Sequence, residues 1–318
     1  MGKETVKGAV FVALGAIFYG VLGNVIKLAY RGGYTTAEVL AAQYAWGLVG
    51  LWAADRIVCR KQPGSSLPVS GRDRRRLMLA GLAIGVTSTS YYISMRYVDV
   101  SVAIVLMMQS VWFGIVLESM LQRRLPSGRK AWATVVILIG TVLATNMFGR
   151  QVALDIRGVL WGLLSGATFT FMMYASNRIA THVPPYRKSL LMLLGGSLVV
   201  AAFIGLTQVG PHHVEALRGL VPGGHVPVDG SLAFRPSIFL TYGPVIALFG
   251  TILPPILFNI GFPKVGLGLG SIVSSLELPV SVTVAYLVLH EQVLAVQWAG
   301  IFLILAAIAV MNRGGMRA

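Results

Sequence analysis

The feature that most constrains this chain is the repeated return of an apolar run about 20 residues long, the length a helix needs to cross the hydrocarbon core of a bilayer. Ten such runs are read along the sequence, at roughly 8–30, 37–57, 77–97, 100–121, 132–148, 158–177, 189–209, 237–259, 266–289 and 296–311. Inside lipid every backbone N–H and C=O must find a partner within the protein, which a helix provides for itself. The expected fold class is therefore an all-α integral membrane protein with ten transmembrane helices. The links between runs are short except at 60–76 and 210–236, and neither of these is long enough for a soluble catalytic domain.

Composition narrows the function classes. The chain is 12% charged, about half the share typical of a soluble domain. The formal net charge of +15 does not point to nucleic acid, because the basic residues lie between apolar runs, where they set orientation in the membrane. A single cysteine, Cys59, excludes a disulfide framework and a CxxC metal or redox motif. No Gly-rich loop ends in Lys-Ser/Thr, so the chain does not bind ATP through a P-loop. The five histidines fall in loops or at helix ends with no pair sharing a face, so neither a metal nor any other cofactor is expected. The first run carries Lys27 and lacks a small-residue cleavage pattern, and it reads as a span rather than a leader.

Lys and Arg sort by side. One side collects Lys3, Lys7, the cluster from Arg56 to Arg76, Arg123 to Lys130, Arg178, Arg187, Lys188, Lys264, Arg313 and Arg317; the other has only Arg31, Arg96, Arg150, Arg157, Arg218 and Arg235. The positive-inside rule then places both termini in the cytoplasm, the protein in the cytoplasmic (inner) membrane, and the 210–236 loop outside. In that loop His212 and His213 read as solvated, with sensing of external pH as the alternative.

The chain also repeats itself. An offset of 168 residues puts Glu277 on Gln109, Pro279 on Val111 and Ile272-Val273 on Ile104-Val105; an offset of 151 puts Gly166-Ala167, Phe169 and Arg178 on Gly15-Ala16, Phe18 and Lys27. Five spans per copy is an odd number, so the second copy enters the membrane from the opposite side. Two inverted five-helix repeats, 1–150 and 151–318, are the design of secondary transporters.

Ten spans in two halves, the Gly15-Ala16-x-Phe18…Lys27 run, and the Glu277-x-Pro279…His290-Glu291…Gln297…Gly300 pattern resemble the drug/metabolite transporter (DMT) superfamily, in its EamA-type branch. The first half departs from that pattern, with Val111 where the repeat would carry Pro and Arg123 where it would carry the Glu291 counterpart. The resemblance implies a central cavity built by helices one to four and six to nine, a peripheral fifth and tenth helix, and alternating access by rocking of the halves.

Candidate site residues follow from charge, polarity and helix geometry. Glu277 is an acid at bilayer depth, a functional-site candidate by default, and it is the candidate for proton coupling. It shares a helix face with Val273, Ser274 and Ser281, and Pro279, lacking an N–H, is expected to free the Ser275 carbonyl beside it; the alternative is a packing kink with a neutral, hydrogen-bonded Glu277. Gln109, with Trp112 and Phe113 on its face, reads as a substrate contact or as an interhelical hydrogen bond. Tyr91 with Thr87 and Ser88, Gln43 with Trp46, and Tyr19 with Asn24 complete the binding candidates, the glycines around the last two groups serving equally for packing. Lys27, Arg178, Glu118 and Glu291 are gate candidates, the alternative being charges that snorkel to the interface.

Three functions remain open. A secondary carrier would move a small metabolite, best an amino acid, an amine or another cation given one central carboxylate, with a proton as coupling ion; a facilitative exchanger of a neutral metabolite would leave Glu277 structural. A membrane enzyme would need a nucleophile and base, or paired acids, converging in the membrane, and the sequence supplies neither. A non-transporting subunit would need no polar cavity at mid-depth. The expected partners are the lipid bilayer and a small-molecule substrate, and assembly as a homodimer is left open.

Overall fold

The computed structural model describes residues 2–61, 69–98, 100–145, 155–209, 234–290 and 292–314. Among them regular structure is helical throughout and no strand occurs. The helices are α1 (Lys3–Arg31), α2 (Thr36–Lys61), α3 (Gly71–Tyr97), α4 (Val100–Met107), α5 (Ser110–Gln122), α6 (Gly128–Ala144), α7 (Ile156–Arg178) and α8 (Pro185–Ile204). They continue with α9 (Gly243–Val265), α10 (Leu267–Ser274), α11 (Glu277–Leu289) and α12 (Ala295–Gly314). Seven helices among the described residues are long and apolar enough to cross a membrane; two of the seven contain the breaks between α4 and α5 and between α10 and α11.

Local chemistry sets the starts. Ser70, Ser127 and Asp155 each accept a backbone N–H at the head of α3, α6 and α7, satisfying one of the donors a helix start leaves free. Arg157 donates back to the Asp155 carboxylate and holds it below the ordinary carboxylate range. Thr35 and Glu38 exchange side-chain bonds to each other's backbone N–H, a capping box that opens α2. Pro185 begins α8, where its missing N–H is not needed.

The helices interleave between halves. α3 packs against α7 and α8, α1 against α9 and α11, α4 against α7, and α6 against α12. Small residues make these crossings close: a Cβ on Gly300 would meet the Gly140 carbonyl at 2.5 Å, and one on Gly20 would meet the Glu277 carbonyl at 2.5 Å. Without a hydrophobic drive between helices in lipid, such close van der Waals contact supplies much of the association. Gln297 donates to the Ala144 carbonyl at 3.0 Å, so the Gln297…Gly300 pair of the sequence pattern serves the α6–α12 contact.

The two broken helices are built to one plan. Their starts (Val100, Leu267), breaks (Met107, Ser274), restarts (Ser110, Glu277) and ends (Gln122, Leu289) are each 167 residues apart, as are their left-handed terminal residues Arg123 and His290. This corrects the register read from the sequence: Ser110, rather than Gln109, occupies the position of Glu277. The mismatch arises because a Glu-over-Gln coincidence in apolar sequence is a weaker guide than the caps and breaks that fix where a helix starts.

A second correction concerns Lys188. Counted above with the cytoplasmic links, it lies inside α8, 1% exposed, with Nζ donating to the Ser176 carbonyl at 2.8 Å. Its neighbour Arg187 binds Asp55 of α2 at 2.9 Å. The loop residues 210–233, with His212 and His213, lie outside the described residues.

Candidate functional site

A cavity opens at the level of the second break. It is lined from α1 (Tyr19, Leu22, Gly23, Ile26), α2 (Gln43), α3 (Ile84, Thr87, Ser88, Tyr91, Tyr92), α4 (Ile104, Met107), α7 (Phe169, Met172), α8 (Ser189, Leu193), α9 (Gly250, Thr251, Pro255) and α11 (Glu277, Leu278, Ser281). α6 and α12 contribute nothing to it. The space open to the centres of water-sized molecules is about 80 Å³, where one water needs roughly 10–15 Å³. The cavity therefore takes a small solute or a handful of waters.

Among the described residues Glu277 is the one acidic or basic side chain in the lining. It is the first residue of α11, where the helix dipole favours negative charge, and its Oε2 is buried with no hydrogen-bond partner. Tyr19 and Tyr91 stand within electrostatic reach of it. A carboxylate in a cavity wall, unpaired by any described cation, is an arrangement completed by a ligand cation or a proton. Ser281, one turn along, faces the same space.

Pro279 does not act as expected. Because the helix restarts at Glu277, Pro279 falls in the first turn, where its missing N–H breaks no ladder. The Ser275 carbonyl is taken by the N–H of Leu278 at 3.3 Å, so that carbonyl is not free.

Of the residues singled out in the sequence, Glu277, Tyr91, Gln43 and Tyr19 line this one cavity, with Thr87 and Ser88. Gln109, Trp112, Ser274 and Asn24 are outside the lining. Gln109 donates to the Val105 carbonyl at 3.0 Å and accepts from Trp112 Nε1 at 2.7 Å. That carbonyl is left free by the break, because the Gln109 N–H bonds Leu106 instead, so the side chain mends its own helix. Ser274 bonds the Ser271 carbonyl, and Asn24 bridges the carbonyls of Gly20 and Ser281, joining α1 to α11. Replacing Gln109 by Leu should cost about 1–3 kcal/mol by stranding buried polar groups. A lowered melting temperature with unchanged ligand affinity would show that this role is structural.

The gate candidates separate. Glu118 pairs with Lys130 and lies flush against Gly266 and Gly268 at the head of α10. Lys27 is half-buried near the end of α1, and Arg178 is exposed at the end of α7. Glu291 lies outside the described residues.

Sequence reasoning missed Tyr92, Ser189, Thr251, Phe169 and Met172 as lining. Tyr92 adjoins Tyr91 in a helix, where consecutive residues point about 100° apart, and the sequence reading singles out Tyr91 alone. The structure has both reaching the cavity. The apolar members carry no signal against an apolar background.

Comparisons with known proteins give the same reading of the fold. A family model described as "EamA: EamA-like transporter family" matches twice, over residues 6–146 and 156–313. A solved structure described only as "Crystal structure of protein" superposes with a TM-score of 0.71 over 96% of this chain and 95% of its own, at 14% identity; at that identity the likeness is one of fold. The search of curated proteins found no match. With the family model accounting for nearly the whole chain in two copies, this protein belongs to the EamA-like transporter family of the DMT superfamily and is a multi-pass membrane protein.

Proposed function

We propose that the protein is a secondary transporter that moves a small organic cation or zwitterion across the cytoplasmic membrane by alternating access, with Glu277 as the coupling group. The observation that carries this reading is the unpartnered Oε2 of Glu277 in a cavity whose described lining contains no Lys, Arg or His. An anionic substrate would find no counter-charge there, whereas an ammonium group finds Glu277 together with the aromatic faces of Tyr19 and Tyr91, which attract cations.

In this reading the chain spans the membrane ten times as two inverted five-helix halves with both termini cytoplasmic. The seven long apolar helices are joined as spans by α2, α6 and α12. The halves rock about the cavity, and the breaks in the two matching helices supply the hinge-like, discontinuous elements on which such sites are built. A bare carboxylate in a closing, dry cavity is costly. Either a proton or the substrate cation neutralises it, and only the neutral cavity reorients. Because one carboxylate cannot hold both, proton and substrate exchange in opposite directions.

Uptake by proteoliposomes tests the reading. Saturable entry of a labelled amine, competed by other organic ammonium ions but not by sugars, is the expected result. Flux of a neutral metabolite that ammonium ions do not compete would favour the alternative, a facilitative exchanger in which Glu277 is structural.

A further inference from the structure

The cavity has a second polar pole that the coupling chemistry does not use. Gln43 on α2 is 3% exposed and accepts the Tyr92 hydroxyl at Oε1, 3.0 Å away. This bond sets the face of the amide: turned over, it would leave the hydroxyl proton without an acceptor among the described residues. The Nε2 amino group is thereby directed to the opposite side, against Gly250, where a Cβ would lie only 2.5 Å from it.

The backbone around that group is shaped to fit. Gly250 and Thr251 sit in a π-helical segment, Leu248–Ile252, within α9, a local widening that recurs at functional sites. Thr251 donates to the Gln43 backbone carbonyl at 3.2 Å, fixing α9 to α2 at this level. Gln43, Tyr92, Gly250 and Thr251 all line the cavity. Nε2 donates to no described residue and Gln43 is part of the cavity lining, so its N–H donors are left for a solute held there.

We propose that Gln43 is a specificity-determining donor for an uncharged carbonyl oxygen of the substrate, with Tyr92 as its positioning residue and Gly250 as the gap that admits its amide. Resting on the reading of Glu277 as the ammonium site, this narrows the substrate class to amines that carry a carbonyl near the nitrogen, as amino-acid amides do. A carboxylate at this pole would meet a neutral amide and no cation, so the uncharged carbonyl is the better match. The apolar body of such a molecule would lie against Phe169, Met172 and Leu193.

The test compares phenylalaninamide and phenethylamine, which share an apolar body, in a mildly acidic buffer where both are monocations, binding to the purified full-length protein by calorimetry. Phenylalaninamide should bind about tenfold more tightly, the effect of one buried donor left unpaired by the amine. Gln43→Leu, Tyr92→Phe and Gly250→Ala should each bring the ratio of the two affinities close to one; general damage to the fold would weaken both ligands and leave the ratio intact. Equal affinities in the unaltered protein, no binding of phenylalaninamide, or an undiminished ratio in Gln43→Leu and Gly250→Ala would overturn the proposal. Glu277→Gln separates it from the reading on which it rests: if phenethylamine binds that variant as before, the ammonium site is elsewhere, while the ratio still reports on Gln43.

Discussion

Replacing Glu277 by Gln is expected to reduce transport of an ammonium substrate by about a hundredfold or more, the scale of effect when one partner of a desolvated charge pair is removed. The amide keeps the size and hydrogen-bonding reach of the acid, so the loss isolates charge from shape. Glu277 sits at a restart whose geometry is set by neighbours other than its side chain: the α10 cap bonds, the Gly20 contact and the Asn24 bridge from α1 to α11. The fold of the Gln variant should therefore be intact, with a melting temperature at or above that of the unaltered protein, because a buried, unpartnered carboxylate oxygen has been removed. Asp at this position would keep the charge but withdraw it by one methylene, and an intermediate rate is expected. Flux measured in proteoliposomes with equal protein incorporation checks both variants against the unaltered protein.

The second large effect concerns the α3–α8 crossing. A Cβ on Gly195 would stand 1.9 Å from the Met78 carbonyl oxygen, and one on Gly81 would stand 1.9 Å from the Met192 carbonyl oxygen. The two backbones touch, and no flexible side chain is available to yield. Gly195→Leu must force the helices apart, at about 3 kcal/mol or more on the scale of severe overpacking. Because α3 carries Thr87, Ser88, Tyr91 and Tyr92 and α8 carries Ser189 and Leu193 into the cavity, the wall is displaced together with the fold. Loss of monodisperse protein or a sharply lowered melting temperature is expected. Gly205→Ala, whose added Cβ would meet no other described residue within 4 Å, should have no such effect. A normally folded Gly195→Leu protein would show that this crossing is not what holds α3 and α8.

What could be read in the sequence, and what could not, follows from contrast. Glu277, Gln43 and Tyr91 stand out because polar groups are rare in apolar runs, and all three line the cavity. The same rule drew attention to Gln109 and Asn24, whose polarity serves backbone carbonyls instead. Polarity inside a membrane helix marks a need for a partner without saying whether that partner is a ligand or a neighbouring helix. The repeat was visible, but its register slipped by one residue at the broken helices, since the structural alignment is fixed by left-handed terminal residues at Arg123 and His290 that leave little trace in residue type. Lys188 looked like a loop charge because three polar or basic residues run together there; Pro185 starting α8 puts it inside the bundle. The Tyr92–Gln43 bond joins residues 49 apart in the chain and is a property of packing alone.

The central claim is that a proton and the substrate cation compete for Glu277 and so move in opposite directions. The most direct measurement imposes a pH gradient across proteoliposomes holding equal amine inside and out, and follows net amine movement beyond that in protein-free liposomes. The unaltered protein is predicted to drive the amine uphill, toward the acidic side, while Glu277→Gln allows at most equilibration. Uphill movement that persists in Glu277→Gln would contradict the account, as would an unaltered protein that transports the amine but never concentrates it under the gradient.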